Sequence, residues 1–477
     1  MPSVAKNTLY LTSALVGQKL LSFIYFTLIA RFLGAETVGK YTFAIAFTTI
    51  FAIIAELGLT PVLVREIARA KSRAQEYLST VLGIKCILAF VAYSAVILGA
   101  YSLGHPRLTL ELIALAGVVM ILDTIHFTLY GVLRGLQTLQ YEAVGMVIGQ
   151  VMTLAAGTVA LLLKMPLHAF LIAMGIGSFF NVVIAFIVLQ RHGIAAIPKI
   201  SPKLARTVIG YAIPFALAGI FVRVYSYIDT VLLQHLRGDI EVGWYSVPYK
   251  ITYAFQFFPM ALSAAIYPAL ANTWISDRAR TRWIFDHALL YCILLSLPIS
   301  LGIFALAPEI IMTVYGAEFV NSILPLQISI FGLLFIFLYF PVGALLNATN
   351  NQSVNTALMG ITMFANIIAN LILIPRFGAV GASIAAVSTN AFLWITTLIW
   401  ALRILKPSAS AARVFFKAFF AVAVMTYLVL TIKTRIPWPL SIPLGGIVYA
   451  GLLFALRAIS PEDIRMFATL FRKEPID

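Results

Sequence analysis

The nine residues from Gly34 to Thr42, GAETVGKYT, return 204 positions later as Gly238 to Ser246, GDIEVGWYS. In the same register, residues 19–42 lie over residues 223–246 without a gap, and Lys19 falls on Arg223. The flanking stretches are apolar runs long enough to cross a bilayer. A duplicated membrane segment with a cation midway along the first helix of each copy is typical of a two-lobed transporter with a basic central site.

The composition places the chain in a membrane. Hydrophobic residues make up 61% of the 477 residues and charged residues only 11%. A water-soluble domain needs more surface charge than this, and one large buried core would not explain why apolar runs of about 20 residues recur. Hydropathy and turn residues predict fourteen helical spans, at about 8–33, 41–64, 78–101, 110–133, 142–163, 167–189, 207–233, 242–268, 284–306, 322–346, 354–374, 379–402, 414–432 and 437–457.

The predicted fold is therefore an all-α polytopic membrane protein with about 14 transmembrane helices. These form two pseudo-symmetric six-helix bundles and a C-terminal helix pair. We expect an N-terminal lobe at 1–190, a cytoplasmic linker at 191–206, a C-terminal lobe at 207–402, and the appended pair with a cytoplasmic tail at 403–477. Six is an even number, so both lobes begin on the same side and the repeat is parallel.

The net charge of +15 is an orientation signal. Most lysines and arginines lie in loops on the side of the N-terminus, which predicts a cytoplasmic-membrane protein with both termini in the cytoplasm. Some of this charge also suits anionic membrane lipid, and nucleic acid binding is not needed to explain it. The two cysteines, Cys86 and Cys292, lie in apolar runs, which argues against a disulfide framework or a metal site.

Lys19 and Arg223 are the strongest candidates for substrate binding. Both lie near the middle of a predicted span, and a charged group in hydrocarbon costs at least ~2.5 kcal/mol unless it faces protein or water. If the lobes face each other, the two cations repel unless an anion lies between them, which suits an anionic ligand such as phosphate. The alternative is that each cation reaches the interface or pairs within its own lobe.

Two further cations within spans, Lys250 and Lys85, are weaker substrate-binding candidates. Lys250 lies near Asp229 on neighbouring spans, so a structural ion pair is an equal alternative. Lys85 lies about two turns from a span end, where extension of its side chain to the interface would explain it.

Four groups are candidates for coupling transport to an ion. Asp123 and His126 share one face of the fourth span, where they could relay protons or help to bind sodium. Asp229 is a third candidate. Glu56 is the fourth, although it could instead pair with Lys85 or Arg65. For Asp123 and His126, the alternative is a hydrogen bond within the lobe.

Several motifs resemble those of a known family. They are ARFLGAETVGKYTFA, AELGL, VLVREIARA, DTVLLQHLRGDIEVGWYSVPYKI, YPALANTW, YGAEF and LIPRFGAVGASIA, which occur in this order over most of residues 1–402. In order and spacing the chain resembles the polysaccharide-type, Wzx-like exporters of the MOP flippase superfamily, which also contains MurJ and the MATE exporters. The resemblance implies two six-helix bundles around a cavity that opens alternately to each side.

The resemblance also implies a function. Such proteins move lipid-linked oligosaccharides, usually on polyprenyl diphosphate, between leaflets, so Lys19 and Arg223 would contact the phosphates. We expect a lipid-linked oligosaccharide and membrane lipid as partners, sodium or a proton as a candidate coupling ion, and contacts with glycan-assembly proteins. The chain has no Walker A loop, HExxH or GxSxG motif, so neither a cofactor nor an enzyme activity is expected. The alternatives are a MATE-like cation-coupled small-molecule exporter and, less favoured, a membrane glycan polymerase or ligase.

Overall fold

The computed structural model describes residues 4–406 and 409–458, and all its regular elements are helical. This confirms the predicted all-α class. The α-helices are α1 (Val4–Glu56), α2 (Leu59–Arg69), α3 (Ala74–Ser102), α4 (Arg107–Gly135), α5 (Leu139–Leu162), α6 (His168–Arg191), α7 (Pro202–Arg237), α8 (Asp239–Ala254), α9 (Phe257–Ser276), α10 (Arg278–Ile310), α11 (Ile323–Ser329), α12 (Gly332–Ala348), α13 (Gln352–Ile404), α14 (Ala409–Ile432) and α15 (Trp438–Ala455).

Eleven helical segments in this described part are long and apolar enough to cross a membrane, and the bent pair Ala317–Ser329 and Gly332–Ala348 would make a twelfth. α1 and α13 contain 53 residues each. A straight helix of that length would measure about 80 Å, whereas the hydrocarbon core is ~30 Å thick. Each helix is broken by one glycine with non-helical backbone, Gly34 in α1 and Gly378 in α13. Both breaks fall between two predicted spans.

The repeated sequence adopts a repeated backbone turn. Gly34 has φ 78° and ψ 170°, and its counterpart Gly238 has φ 89° and ψ −179°. Side chains disfavour this positive-φ region, which glycine enters at little cost. The duplication seen in the sequence is therefore also a duplication of local structure.

The second repeated glycine allows the two copies to pack against each other. A Cβ atom on Gly39 would lie 1.7 Å from the carbonyl oxygen of Asp239, and one on Gly243 would lie 1.9 Å from that of Ala35. Asp239 is the repeat counterpart of Ala35, and Gly243 is that of Gly39. The contact is thus reciprocal, as at an interface with two-fold symmetry. We call these four residues the glycine contact.

The chain forms two compact units, one comprising Met1–Lys250 with Met359–Ala385 and the other Ile251–Leu358 with Ala386–Asp477. In the first unit, α2 buries Leu59, Leu63 and Ile67 in a core shared with α3, α4 and α7. The helix has this buried face because its apolar residues recur every three to four positions. Residues 191–206, the predicted linker, belong to this unit, and the predicted division into lobes stays a prediction.

In the second unit, α14 and α15 pack on α10. Tyr449 donates a hydrogen bond from its hydroxyl to the carbonyl oxygen of Leu294 at 3.0 Å. At the other end, the Lys433 ammonium forms an ion pair with Glu309 at 2.9 Å. The C-terminal helix pair is therefore an integral part of this unit's packing.

Candidate functional site

One cavity of the first unit holds Arg223. It has a volume of about 290 Å³ and lies among α1, α4, α6 and α7. Glu56 and Asp123 also line it, and the positive charge of Arg223 reaches Asp123. We call it the arginine cavity. It brings together three of the residues predicted from the sequence, one cation and two acids, on three different helices.

A second cavity of about 290 Å³ lies in the same unit and is lined by Tyr25, Tyr41, Tyr227 and Tyr249. We call it the tyrosine cavity. Three predicted residues line it as well: Asp123, His126 and Lys250. The two cavities have five lining residues in common, which are Ile45, Asp123, Phe127, Met174 and Tyr227. They are therefore neighbouring parts of one site.

Lys19 and Lys250 form the second group of positive charge. The charge of Lys19 lies close enough to Lys250 to repel it. The Lys250 ammonium also lies 5.5 Å from the centre of the Phe26 ring, a cation–π distance. Lys19 is partly exposed. Lys250 lines the tyrosine cavity, and the charge of Lys19 adds to the positive charge there.

The ammonium group of Lys85 is bonded to neighbouring protein groups. Its side chain is 2% exposed, and its ammonium forms an ion pair with Glu56 while also donating to the hydroxyl of Thr60 at 3.1 Å and the carbonyl oxygen of Thr124 at 3.5 Å. These three acceptors take all the donors that an ammonium group has. The sequence offered the Lys85–Glu56 pair as an alternative, and the structure contains it. The roles of Lys85 in substrate binding and of Glu56 in coupling stay predictions.

Asp123 and Asp229 have different environments. Asp123 accepts a hydrogen bond from the Ser178 hydroxyl at 2.6 Å, and His126 Nδ1 lies 3.5 Å from the same carboxylate oxygen. Asp229 is 5% exposed and accepts from the Tyr245 hydroxyl at 3.0 Å and from Asn370 Nδ2 at 2.7 Å. Asp123 therefore faces the cavities, whereas Asp229 lies in a closed polar cluster.

A comparison with known families identifies this architecture. Residues 4–274 match the family described as polysaccharide biosynthesis protein, and residues 214–372 match the MatE family. The chain belongs to the polysaccharide biosynthesis protein family. Every predicted site residue lies within the stretch that matches this family. The predicted membership of the polysaccharide-type branch of the MOP superfamily is thereby confirmed.

The chain is also similar to individual members of known families. It is 24% identical to the probable low-salt glycan biosynthesis flippase Agl15 of Haloferax volcanii, over 80% of each chain. It is 23% identical to the capsular polysaccharide biosynthesis protein CapF of Staphylococcus aureus, over 80% of this chain and 95% of that one. Its fold is similar to that of the lipid II flippase MurJ in an inward closed conformation, with a TM-score of 0.77, 15% identity, and coverage of 94% and 98%.

An inward-facing multidrug-resistance MATE transporter of the MOP superfamily also has this fold, with a TM-score of 0.66 and 16% identity, over 82% of this chain and 98% of that one. Of the residues that line the tyrosine cavity, the sequence predicted only Asp123, His126 and Lys250 as site residues. The cavity's hydroxyl and amide side chains are common in membrane helices, so only the packing of several helices shows which of them face one space. Asn370 was noted in the sequence as a packing residue, and the structure adds its hydrogen bond to Asp229.

Proposed function

We propose that this protein moves a lipid-linked oligosaccharide, carried on polyprenyl diphosphate, from the inner to the outer leaflet of the cytoplasmic membrane for polysaccharide biosynthesis. The observation that carries the proposal is Arg223 on the wall of a cavity beside a second, hydroxyl-lined cavity, in a member of the polysaccharide biosynthesis family. An arginine clamps phosphate oxygens through two hydrogen bonds. The similarity to proteins named as flippases supports transport rather than an enzyme activity.

In this proposal, Arg223 and Lys19 are the main contacts for the diphosphate, and Lys250 adds positive charge beside Lys19. Lys85 ranks last, because Glu56, Thr60 and Thr124 take its donors. The lipid tail stays in the bilayer.

The proposed architecture has fourteen crossings. α1 and α13 each cross twice by turning at Gly34 and Gly378, and the bent segment from Ala317 to Ala348 crosses once. The crossings form two six-helix lobes and a C-terminal pair, with both termini in the cytoplasm. Transport proceeds by alternating access, in which the glycine contact of Gly39 and Gly243 opens and closes one side of the site.

A coupling cation, sodium or a proton, fits the acidic residues of the first unit. The carboxylate of Asp229 lies in a closed polar cluster with Tyr245 and Asn370, and carboxylate oxygens suit a hard cation. Asp123 with His126 is the second candidate, because both face the tyrosine cavity. Glu56 is the weakest, because it is paired with Lys85.

Reconstituted vesicles with a labelled polyprenyl-diphosphate oligosaccharide test the proposal. We expect Lys19→Ala with Arg223→Ala to abolish translocation while the protein still folds and inserts. Arg107→Ala, at an exposed side chain paired with Glu111 on its own helix, is the control and should transport normally. Normal flipping by the double variant would refute the site assignment. Collapse of sodium and proton gradients in the same vesicles should slow net transport if it is coupled.

The second candidate is a MATE-like exporter of small cationic compounds, which the MatE match at residues 214–372 favours. Efflux of a fluorescent cation from the same vesicles, without movement of the labelled glycolipid, would establish it. A glycan polymerase or ligase would instead lengthen or transfer the labelled glycan, which chromatography of the recovered lipid would detect.

A further inference from the structure

We propose that the tyrosine cavity is the subsite for the sugar attached directly to the diphosphate, and that Thr42, His126 and Gln150 read the hydroxyl groups of an uncharged sugar ring. This inference rests on the proposed function. It assigns a separate ligand group to each of two neighbouring cavities.

The first argument is the connection between the cavities. Five residues line both, including Asp123 and Tyr227. In a glycosylated polyprenyl diphosphate, the first sugar is bonded to the phosphate, so the sites for these two groups must adjoin. With the phosphates held at Arg223, the sugar reaches the tyrosine cavity without further displacement.

The second argument is the chemistry of the wall. Tyr25, Tyr41, Tyr227 and Tyr249 offer ring faces and hydroxyl groups, and a sugar ring likewise has apolar C–H faces and a hydroxyl edge. Further hydroxyl and amide groups come from Gln18, Ser22, Thr42, Gln150, Ser178, Asn181, Thr230 and Ser246. The volume of about 290 Å³ is at the lower end of ligand sites, which span ~300–1,000 Å³. It therefore suits a short group rather than a long glycan.

The charges on the wall favour an uncharged ring. Asp123 and Lys250 line this cavity with opposite signs, and Lys19 is not among its lining residues, so a ring of either charge would face one like charge on the wall. Hydroxyl groups can donate hydrogen bonds to the Asp123 carboxylate and accept them from the Lys250 ammonium. The arginine cavity differs in two ways: its cation is an arginine, which can clamp phosphate, and its Glu56 is already paired with Lys85.

The third argument is that hydrogen-bonding capacity is left unused. His126 is 6% exposed and lines the cavity, and among the described residues its Nδ1 makes no hydrogen bond, with the nearest carboxylate oxygen, that of Asp123, 3.5 Å away. The buried Oγ1 of Thr42, also on the wall, makes no hydrogen bond with any described residue either. A buried polar atom without a partner costs free energy that a ligand or water would recover. Other groups are already oriented, as where Tyr25 donates to the carbonyl oxygen of Phe170 at 2.8 Å.

Water is the alternative occupant, because a polar cavity of this size holds several molecules. A water-filled passage would give little selection among head groups. A sugar subsite would select strongly, since a site built for hydroxyl groups rejects a ligand that lacks them. Selectivity for the sugar therefore separates the two occupants.

The experiment uses full-length protein in vesicles with three labelled lipids: undecaprenyl diphosphate, and the same lipid carrying one glucose or one galactose. The measured quantity is the transport rate of each sugar-bearing lipid divided by that of the bare diphosphate. We expect Thr42→Val and Gln150→Leu each to lower at least one of these ratios about fivefold, as the loss of one hydrogen bond would. The controls are Thr158→Val on α5 and Gln190→Leu at the end of α6, since neither residue lines the cavity.

Equal ratios in Thr42→Val, Gln150→Leu, their controls and the wild type would overturn the sugar subsite and favour a water-filled passage. Failure of the wild-type protein to move any of the three lipids would instead count against the proposed function. In that case, stabilisation of the protein in nanodiscs by glucosyl undecaprenyl diphosphate, relative to the bare lipid, decides on the subsite. A stabilisation that Thr42→Val removes supports it, and no difference between the two lipids refutes it.

Discussion

The two copies of the repeated segment keep the same backbone and differ in their chemistry. Gly34 and Gly238 have nearly the same φ and ψ, and Gly39 and Gly243 make reciprocal backbone contacts. The matched cations differ in position: Arg223 lines the arginine cavity with Asp123, whereas the charge of Lys19 acts on Lys250. Duplication has therefore retained a mechanical contact while the polar side chains around it have diverged.

The matched tyrosines illustrate this divergence. Tyr41 donates to the sulfur of Met174 at 2.9 Å, and its counterpart Tyr245 donates to the carboxylate of Asp229 at 3.0 Å. Ion pairs differ too: Lys40 pairs with Glu36 in the first copy, while Trp244 and Ile240 stand at those positions in the second. If this comparison is right, changes at the shared glycines should affect transport most, and changes at the diverged tyrosines and at ion pairs outside the cavities should mainly affect local stability.

The largest effect is expected from Gly39→Val or Gly243→Val. A side chain at either position would overlap a backbone carbonyl, which cannot rotate away, so the cost should exceed the ~1–3 kcal/mol of ordinary overpacking. We expect loss of transport and a glycine contact that stays open. Ala35→Cys, in a Cys86→Ser background, should then react faster with a membrane-impermeant maleimide.

Gly210→Val is the matched control for this prediction, because a Cβ atom at Gly210 would lie within 4 Å of no atom in the described part of the chain. It should transport like the wild type and leave the labelling of Ala35→Cys unchanged. Full transport by both Gly39→Val and Gly243→Val would show that the glycine contact has no part in the cycle.

A smaller effect, on stability, is expected from Glu56→Gln. The ammonium of Lys85 is 2% exposed, and without the carboxylate it would be a buried charge with no counter-ion, at a cost of about 3 kcal/mol. The melting temperature of the purified protein should fall clearly, and Glu56→Gln with Lys85→Met should regain part of the loss.

Glu36→Gln provides the comparison. Glu36 lies on α1, as Glu56 does, but its ion pair with Lys40 is exposed. Exposed pairs contribute little, so the melting temperature should hardly change. Similar losses from Glu56→Gln and Glu36→Gln would mean that burial does not distinguish the two pairs.

Much of the fold could be predicted from the sequence. The length and hydropathy of the apolar runs define the membrane helices, and the repeated glycines mark the turns with positive φ. The pairing of Glu56 with Lys85 was also accessible, since both charges lie in apolar runs. The partners of Asp229 were not. The sequence suggested Lys250 as a partner of Asp229, because the two lie on neighbouring spans. In the structure, Tyr245 and Asn370 donate hydrogen bonds to the Asp229 carboxylate. Asn370 lies on α13, 141 positions away in the sequence. Such a contact depends on helix rotation, which apolar spans of low amphipathicity do not encode clearly.

The smallest effects come from removing the two matched hydroxyl groups. Tyr245→Phe deletes a hydrogen bond to a buried carboxylate, which should cost about 1.5–3 kcal/mol, whereas Tyr41→Phe should cost about 1 kcal/mol or less because its acceptor is a thioether. Both rings are buried, and phenylalanine keeps the ring, so the apolar packing is retained in each variant. Denaturation of each variant measures the difference, and a double-mutant cycle of Tyr245→Phe with Asp229→Asn should show coupling. Equal costs for the two tyrosines, with no coupling to Asp229, would mean that the copies have not diverged here and that the Tyr245 hydroxyl does not stabilise the Asp229 carboxylate.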